Sequence, residues 1–459
     1  MLFDGMDFGP YDKAERNARK AYELYEDGKL SQALTQLDKA LEVNPTNSAW
    51  HFNRGLTLDA INRFEEAVIE YETALQLSPD DLEILNALAV DYTRMGLYDK
   101  ALTTFEYIQE LDPKFEPCYC NRIITYAEMG QHEMAEQMFY LAQQIDEDCA
   151  LCYYNIGNSL FARGQYKKAV RCWLRTAELE PTHPEINYRI AQAYWSDGDP
   201  VRAREHFLAE LRVNPAAVDT IMDFALFLLE TGDLESAKEK FHRLLEFDPD
   251  FAPALFYLGE MALDQGDRSG AAALFEDALQ KDADLPGPHY RLAQCALVGA
   301  QPAEAKRHLL AECERDIEDA NTLISIASMF LTLGDPDHAM QCLLRAAGLD
   351  MGNADAHYYL GVTAANKGQL TEAERFFARA LELNRDHTGA LRDSAFTHLA
   401  MGQADQAAER VARARALLPD DGEVRTLDYS IRVIRVLHRL GRILSHLDPR
   451  KILPRRLSR

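Results

Sequence analysis

The chain has 459 residues, 47% of them apolar and 27% charged, with a formal net charge of −25. That composition excludes a disordered chain or a fibre. The acidic balance argues against bulk nucleic-acid binding, which needs a basic face. No apolar run approaches the roughly 18 residues that a membrane-spanning helix needs.

Residues 1–13, MLFDGMDFGPYDK, carry acids and lack the basic start and apolar core of a secretory signal. They are read as a lead-in. From Ala14 the chain is periodic. Alanine recurs every 34 residues, at Ala33, Ala67, Ala101, Ala135, Ala169, Ala203, Ala237, Ala271, Ala305, Ala339, Ala373 and Ala407. Four residues later comes a bulky side chain in most units, among them Tyr71, Phe105, Trp173, Phe207, Phe275 and Phe377. Five residues earlier comes a glycine in most units, such as Gly28, Gly96, Gly164 and Gly368. Twelve residues earlier sits a small residue in every unit but the fourth, which has Ile123. Proline closes several units, at Pro45, Pro79, Pro113, Pro181, Pro215, Pro249 and Pro419.

Each mark has a physical role. Apolar residues within each half recur at three and four positions, which predicts two helices per unit. The glycine supplies the positive φ that ends the first helix. Small residues on both helices permit close approach, and the aromatic fills the gap left at the next layer. Proline opens the following unit where its missing N–H costs least.

These marks, from Ala14 to Asp421, resemble the tetratricopeptide repeat (TPR) family in twelve consecutive units. The resemblance implies an all-α fold: an α-solenoid, a right-handed superhelix of helix–turn–helix units, each burying its face on its neighbours. The pattern weakens in the ninth and tenth units, where Ala300 replaces the glycine and Leu309 and Leu343 replace the aromatic. A soft point is expected there.

Residues 422–447 predict a basic amphipathic capping helix. Ile431, Ile434, Leu437, Leu440 and Leu444 share one face, with Arg432, Arg435, Arg439 and Arg442 in a stripe beside it. Every repeat array needs a cap. The arginines also suit an anionic membrane surface or an acidic partner. The basic tail, 448–459, is expected to be mobile. It is either simply solvated or a transient competitor at the acidic end of the groove near Asp355 and Tyr358.

In the TPR family, the second, fifth, ninth, twelfth and thirteenth residues of each first helix line a concave groove. At the fifth position stand Phe52, Tyr154, Tyr188, Phe256, Tyr290 and Tyr358, six aromatics in twelve units against 9% overall. Trp195 lies on the same lattice, and its charges are mostly acidic, including Asp59, Glu83, Glu128, Glu185, Asp219, Glu230, Glu260, Asp264 and Asp355. The resemblance therefore implies a protein or peptide partner with basic and apolar side chains. Packing between units is the competing reading for about half of these rings.

Two binding modes of the family can be tested by residue. The carboxylate clamp of co-chaperones finds only Asn155 and Arg189 in its best window, with Glu185 opposing the required charge, and is not expected. The asparagine ladder of O-linked N-acetylglucosamine transferases finds Asn53, Asn121 and Asn155, which predicts at most a short ladder.

Cys118, Cys120, Cys149 and Cys152 fall at matching places in adjacent units. Four such thiols raise the question of zinc. Cys118 and Cys120 stand two apart, which on a helix points them to different faces. The expectation is free buried thiols and no metal. Unpaired cysteines fit a reducing, cytoplasmic setting. No Walker loop, dinucleotide glycine pattern, paired-histidine helix or nucleophile elbow occurs, so neither enzyme nor cofactor is expected. The functional expectation is a non-enzymatic protein–protein interaction scaffold. Its alternatives are a membrane-peripheral assembly factor and the recognition subunit of a separate enzyme, such as a glycosyltransferase.

Overall fold

Turn chemistry sets the repeat. In the fifth unit the first helix, Ala150–Ala162, stops at Gly164, whose φ of 68° only glycine adopts without strain. The Gly164 N–H donates to the Phe161 carbonyl at 2.9 Å and the Gln165 N–H to the Leu160 carbonyl at 2.9 Å. That pair of bonds closes the helix end and launches the second helix, Tyr166–Leu179. The same turn repeats at Gly28, Gly96, Gly130, Gly198, Gly232, Gly266, Gly334, Gly368 and Gly402.

The structure, a computed structural model, describes residues 10–446, with side chains from 11 to 437. Most of the expected lead-in, the basic tail 448–459 and the side chains of Arg439 and Arg442 lie outside the described residues. Among the described residues there are 25 α-helices and no strand. The fold is an all-α solenoid of helix pairs, ending in one further helix.

The core follows from the small residues. All twelve repeat alanines are fully buried. Where the facing first helix carries glycine, the aromatic sixteen residues on lies directly against its Cα: Gly55 with Tyr71, Gly157 with Trp173, Gly259 with Phe275, Gly361 with Phe377. A Cβ placed on Gly259 would stand 2.6 Å from the Phe275 ring, far inside van der Waals contact.

The repeats gather into two compact units, Met1–Lys240 and Phe241–Arg459. The division falls within the second helix of the seventh repeat, Leu234–Phe247. In a quasi-one-dimensional array each repeat buries its faces only on its neighbours, so nothing forces all twelve into one cluster.

The ninth repeat departs from the common turn, whereas the tenth keeps it at Gly334. Ala300 takes the glycine's place at φ 55° and makes the same two closing bonds, Ala300 N–H to Leu297 and Gln301 N–H to Ala296. An L-residue held there costs about 1–2 kcal/mol. The second helix that follows, Pro302–Cys313, has 12 residues where Tyr166–Leu179 has 14. Arg315 beyond it donates to the carbonyls of Ala283 and Leu285. Replacing Ala300 with Gly should therefore stabilise the Phe241–Arg459 unit by about 1 kcal/mol in urea unfolding. A neutral or destabilising effect would show that this turn carries no strain.

The final helix runs from Gly422 to His446 and caps the last repeat. Val424 and Ile431 are buried in a cluster with Phe377, Leu391, Ala407 and Val411, and Leu427 packs against it. Coverage then runs out, and Leu437 is 59% exposed. This 25-residue helix spans ~37 Å, whereas the 14-residue repeat helix before it spans ~21 Å.

Candidate peptide-binding face

Within each unit, contacts between neighbouring first helices join residues about one repeat apart. In the Met1–Lys240 unit, Tyr188 donates its hydroxyl to Asp223 at 2.9 Å, and the Gln192 amide reaches both the Tyr188 hydroxyl and Asp223 at 2.8 Å. Trp195 Nε1 donates to Glu230 at 2.7 Å, and its ring meets Phe207 and Phe227 edge-on. Tyr154 lies tilted against His183 with ring centroids 4.4 Å apart. Phe52 packs on Tyr71 at 5.9 Å. None of these four predicted rings is fully buried, so each presents part of itself at the surface.

The Phe241–Arg459 unit repeats the device. Tyr358 donates to Asp393 at 3.0 Å, and Arg392 pairs with the same carboxylate at 2.8 Å. Tyr290 accepts from Gln294 at 2.9 Å. Phe256 packs on Phe275 and Tyr257. Tyr188 and Tyr358 hold their protons well above the usual phenol range, because burial and a neighbouring carboxylate both oppose phenolate. At the end of this unit, Arg392, Asp393, Phe396, Leu399, Thr426 and Leu427 line a notch of about 640 Å³, in which Phe396 is 65% exposed.

The asparagines divide. Asn53 lines a small cleft of about 60 Å³ with Tyr22, Tyr25 and Leu56. Asn121 donates to Asn86 at 3.0 Å, so its amide is engaged within the chain. Asn155 is 4% exposed, and its amide donates to the Cys120 carbonyl at 3.3 Å. A ladder needs outward amides in succession, and burial takes Asn155 out of it.

The lattice acids divide as well. Asp59 pairs with Arg94, Glu260 with Arg291, and Asp355 with His387. Glu83, Glu128, Asp219 and Asp264 carry no ion pair among the described residues. Burial raises the Glu128 carboxyl. On the final helix, Arg432 pairs with Asp428 at 2.8 Å and Arg435 with Asp405 at 2.9 Å. Two of the four predicted anion contacts are therefore engaged with acids of the chain itself.

The cysteines meet differently from expectation. Cys118 points away from the others and donates to the Phe105 carbonyl at 3.2 Å. Cys120, Cys149 and Cys152 converge instead with Glu116. The thiols of Cys120 and Cys152 hydrogen-bond Cys149 and hold its pKa far below the usual thiol range, while burial pushes Glu116 up to about 7. Sequence reasoning missed Glu116, Gln192, Asp223 and Asp393. The signal was there for the aspartates: each stands 35 residues after a groove tyrosine.

Profiles described as tetratricopeptide repeat match residues 18–82, 222–286 and 325–387, and again 262–312 and 364–427; a TPR repeat profile matches 157–198. The chain belongs to the tetratricopeptide repeat family. As a TPR protein it is a protein–protein interaction scaffold, of a repeat fold that is generally non-catalytic. Among curated relatives, it is 33% identical over 85 residues to the inactive TPR repeat-containing thioredoxin TTL3 of Arabidopsis thaliana, covering 18% of this chain and 12% of that protein. It is 36% identical over 73 residues to the TPR repeat-containing thioredoxin TTL4 of the same plant, covering 16% and 11%. The chain thus spans about an eighth of the length of those relatives. Among solved structures, yeast Tom70 aligns with 95% of this TPR chain and 99% of its own, at 15% identity and a TM-score of 0.39. YrrB, described as a TPR protein with an unusual peptide-binding site, aligns with 40% and 96%, at 22% identity and a TM-score of 0.37.

Proposed function

We propose that this TPR protein grips an extended segment of a partner protein along its first-helix faces, with aromatic side chains as anchors and unpaired carboxylates as selectors. The observation that carries the reading is the recurrent pair of Tyr188 with Asp223 and Tyr358 with Asp393. A hydroxyl tied to the next repeat fixes its ring while leaving it partly exposed, so little side-chain entropy is lost when a partner docks. Glu83, Glu128, Asp219 and Asp264 favour basic residues in that partner, and the chain's acidity disfavours nucleic acid. The protein acts by holding rather than by catalysis, in a reducing cytoplasmic setting that suits eight free cysteines.

Membrane docking through the final helix has less support, since Arg432 and Arg435 already face Asp428 and Asp405. The test is selection of random peptides from a display library on the intact chain. The reading expects enriched peptides to combine Lys or Arg with aromatic or aliphatic residues and to weaken as salt rises. Enrichment of acidic peptides would overturn it.

A further inference from the structure

The cysteine cluster joins two repeats and belongs to no groove contact. Glu116 and Cys120 lie four residues apart on the helix Glu116–Glu128, one turn from each other on the same face. Cys149 is the N-cap of the next first helix, Ala150–Ala162, and Cys152 stands three residues beyond it. One carboxylate oxygen and three sulfurs thereby converge, all within 4.8 Å of one another. Cys152 Sγ lies 2.8 Å from Glu116 Oε1, and the Cys152 N–H donates to Cys149 Sγ at 3.1 Å. Asn155 Nδ2 sits 3.4 Å from Cys120 Sγ. No cation answers these four groups: Glu116 has no ion pair among the described residues.

We propose that Glu116, Cys120, Cys149 and Cys152 bind one zinc ion, a structural site that ties the fourth repeat to the fifth. Zinc takes four ligands in a tetrahedron, with sulfur at about 2.3 Å and carboxylate oxygen at about 2.0–2.2 Å. Sulfurs so placed stand about 3.8 Å apart, so the longest separation here closes by about 1 Å on binding. Three thiolates exclude calcium and magnesium, which take oxygen ligands. The Cys152 N–H and the Asn155 amide, directed at two of the sulfurs, offset the surplus negative charge of three thiolates and a carboxylate. Four protein ligands leave no open position, so the ion's role is to hold the repeats together. Glu116 and Cys149, the two half-buried members, mark the side of entry.

The test uses the intact chain, reduced and stripped of metal, titrated first with cobalt(II) and then with zinc(II). The site predicts one equivalent of cobalt with the intense visible and thiolate charge-transfer bands of a tetrahedral thiolate complex, bleached by zinc. Cys118→Ser should leave those bands unchanged, whereas Cys149→Ser with Cys152→Ser should weaken binding at least a hundredfold. Absence of the bands in the intact reduced chain would overturn the proposal, as would their survival in the double variant. X-ray absorption on the zinc-loaded intact chain needs no variant. It should show three sulfurs at about 2.3 Å and one lighter ligand, and a shell without sulfur contradicts the site. A disulfide among Cys120, Cys149 and Cys152 in the chain as isolated would likewise overturn it.

Discussion

Replacing Gly259 with Val should cost the Phe241–Arg459 unit about 3 kcal/mol or more, and replacing Phe275 with Ala about 3–5 kcal/mol. The two losses have one origin. Phe275 is fully buried against the bare Cα of Gly259, so the ring must shift to admit a side chain there, and a branched one demands the larger shift. The array itself contains the remedy. At the same spacing alanine meets leucine in the ninth and tenth repeats, Ala293 with Leu309 and Ala327 with Leu343, and meets a shifted phenylalanine in others, such as Ala89 with Phe105, all fully buried. Gly259→Ala should therefore be costly alone and cheaper in combination with Phe275→Leu. Urea unfolding of the four chains of that double-mutant cycle would show a favourable coupling of about 1 kcal/mol or more. Strict additivity would contradict this account of repeat packing.

The Met1–Lys240 unit should lose stability as pH rises from about 4 to about 7, and Asp91→Asn should remove much of that dependence. Asp91 is 1% exposed; burial and the neighbouring Asp59 raise its pKa from 3.8 to about 7, against the pull of Arg94. Arg94 divides its charge, bonding Asp59 as well as Asp91, and the Tyr71 hydroxyl and Asp91 Oδ2 are buried without hydrogen-bond partners. A neutral carboxyl is what this pocket suits. Between the unfolded and folded values, the native state binds a proton that the unfolded state has released. The contribution is therefore complete below about pH 4 and lost as pH climbs through about 7, with a limiting slope of about 1.4 kcal/mol per pH unit. Asparagine keeps the shape without the charge. The variant should be the more stable chain at pH 8, with the advantage vanishing near pH 4. Parallel stability curves for the two chains would contradict the assignment.

The legible parts of this protein were the local ones. A glycine five residues before an alanine announced most of the turns because backbone sterics act within one residue. The pairing of Gly157 with Trp173 was legible because both lie in one repeat and recur. Contacts between repeats were harder to read. Equivalent residues 34 apart are translated copies and do not face each other, so matching Cys118 to Cys152 by register joined residues that point alike. The contacts that form are offset by one or two more, as in Asn121 with Asn86, Trp195 with Glu230, and Glu116 with Cys152. That offset buries Asn155 beside Cys120 and brings in Glu116 in place of Cys118. The reach of the final helix was hidden for another reason: amphipathicity shows a face, and only the neighbour's length shows how much of it is covered.

The groove stands or falls on the binding of one selected peptide to three chains: intact, Tyr188→Phe, and Tyr154→Ala with Tyr188→Ala. Calorimetry at low and moderate salt, with helical content matched by circular dichroism, gives the comparison. Aromatic anchors are worth about 1–3 kcal/mol each, so the double variant should bind at least tenfold more weakly. Tyr188→Phe keeps the ring but releases Asp223, and should lose less than the double variant. Equal affinity of the double variant and the intact chain, both folded, would contradict the account and make the aromatic row packing alone.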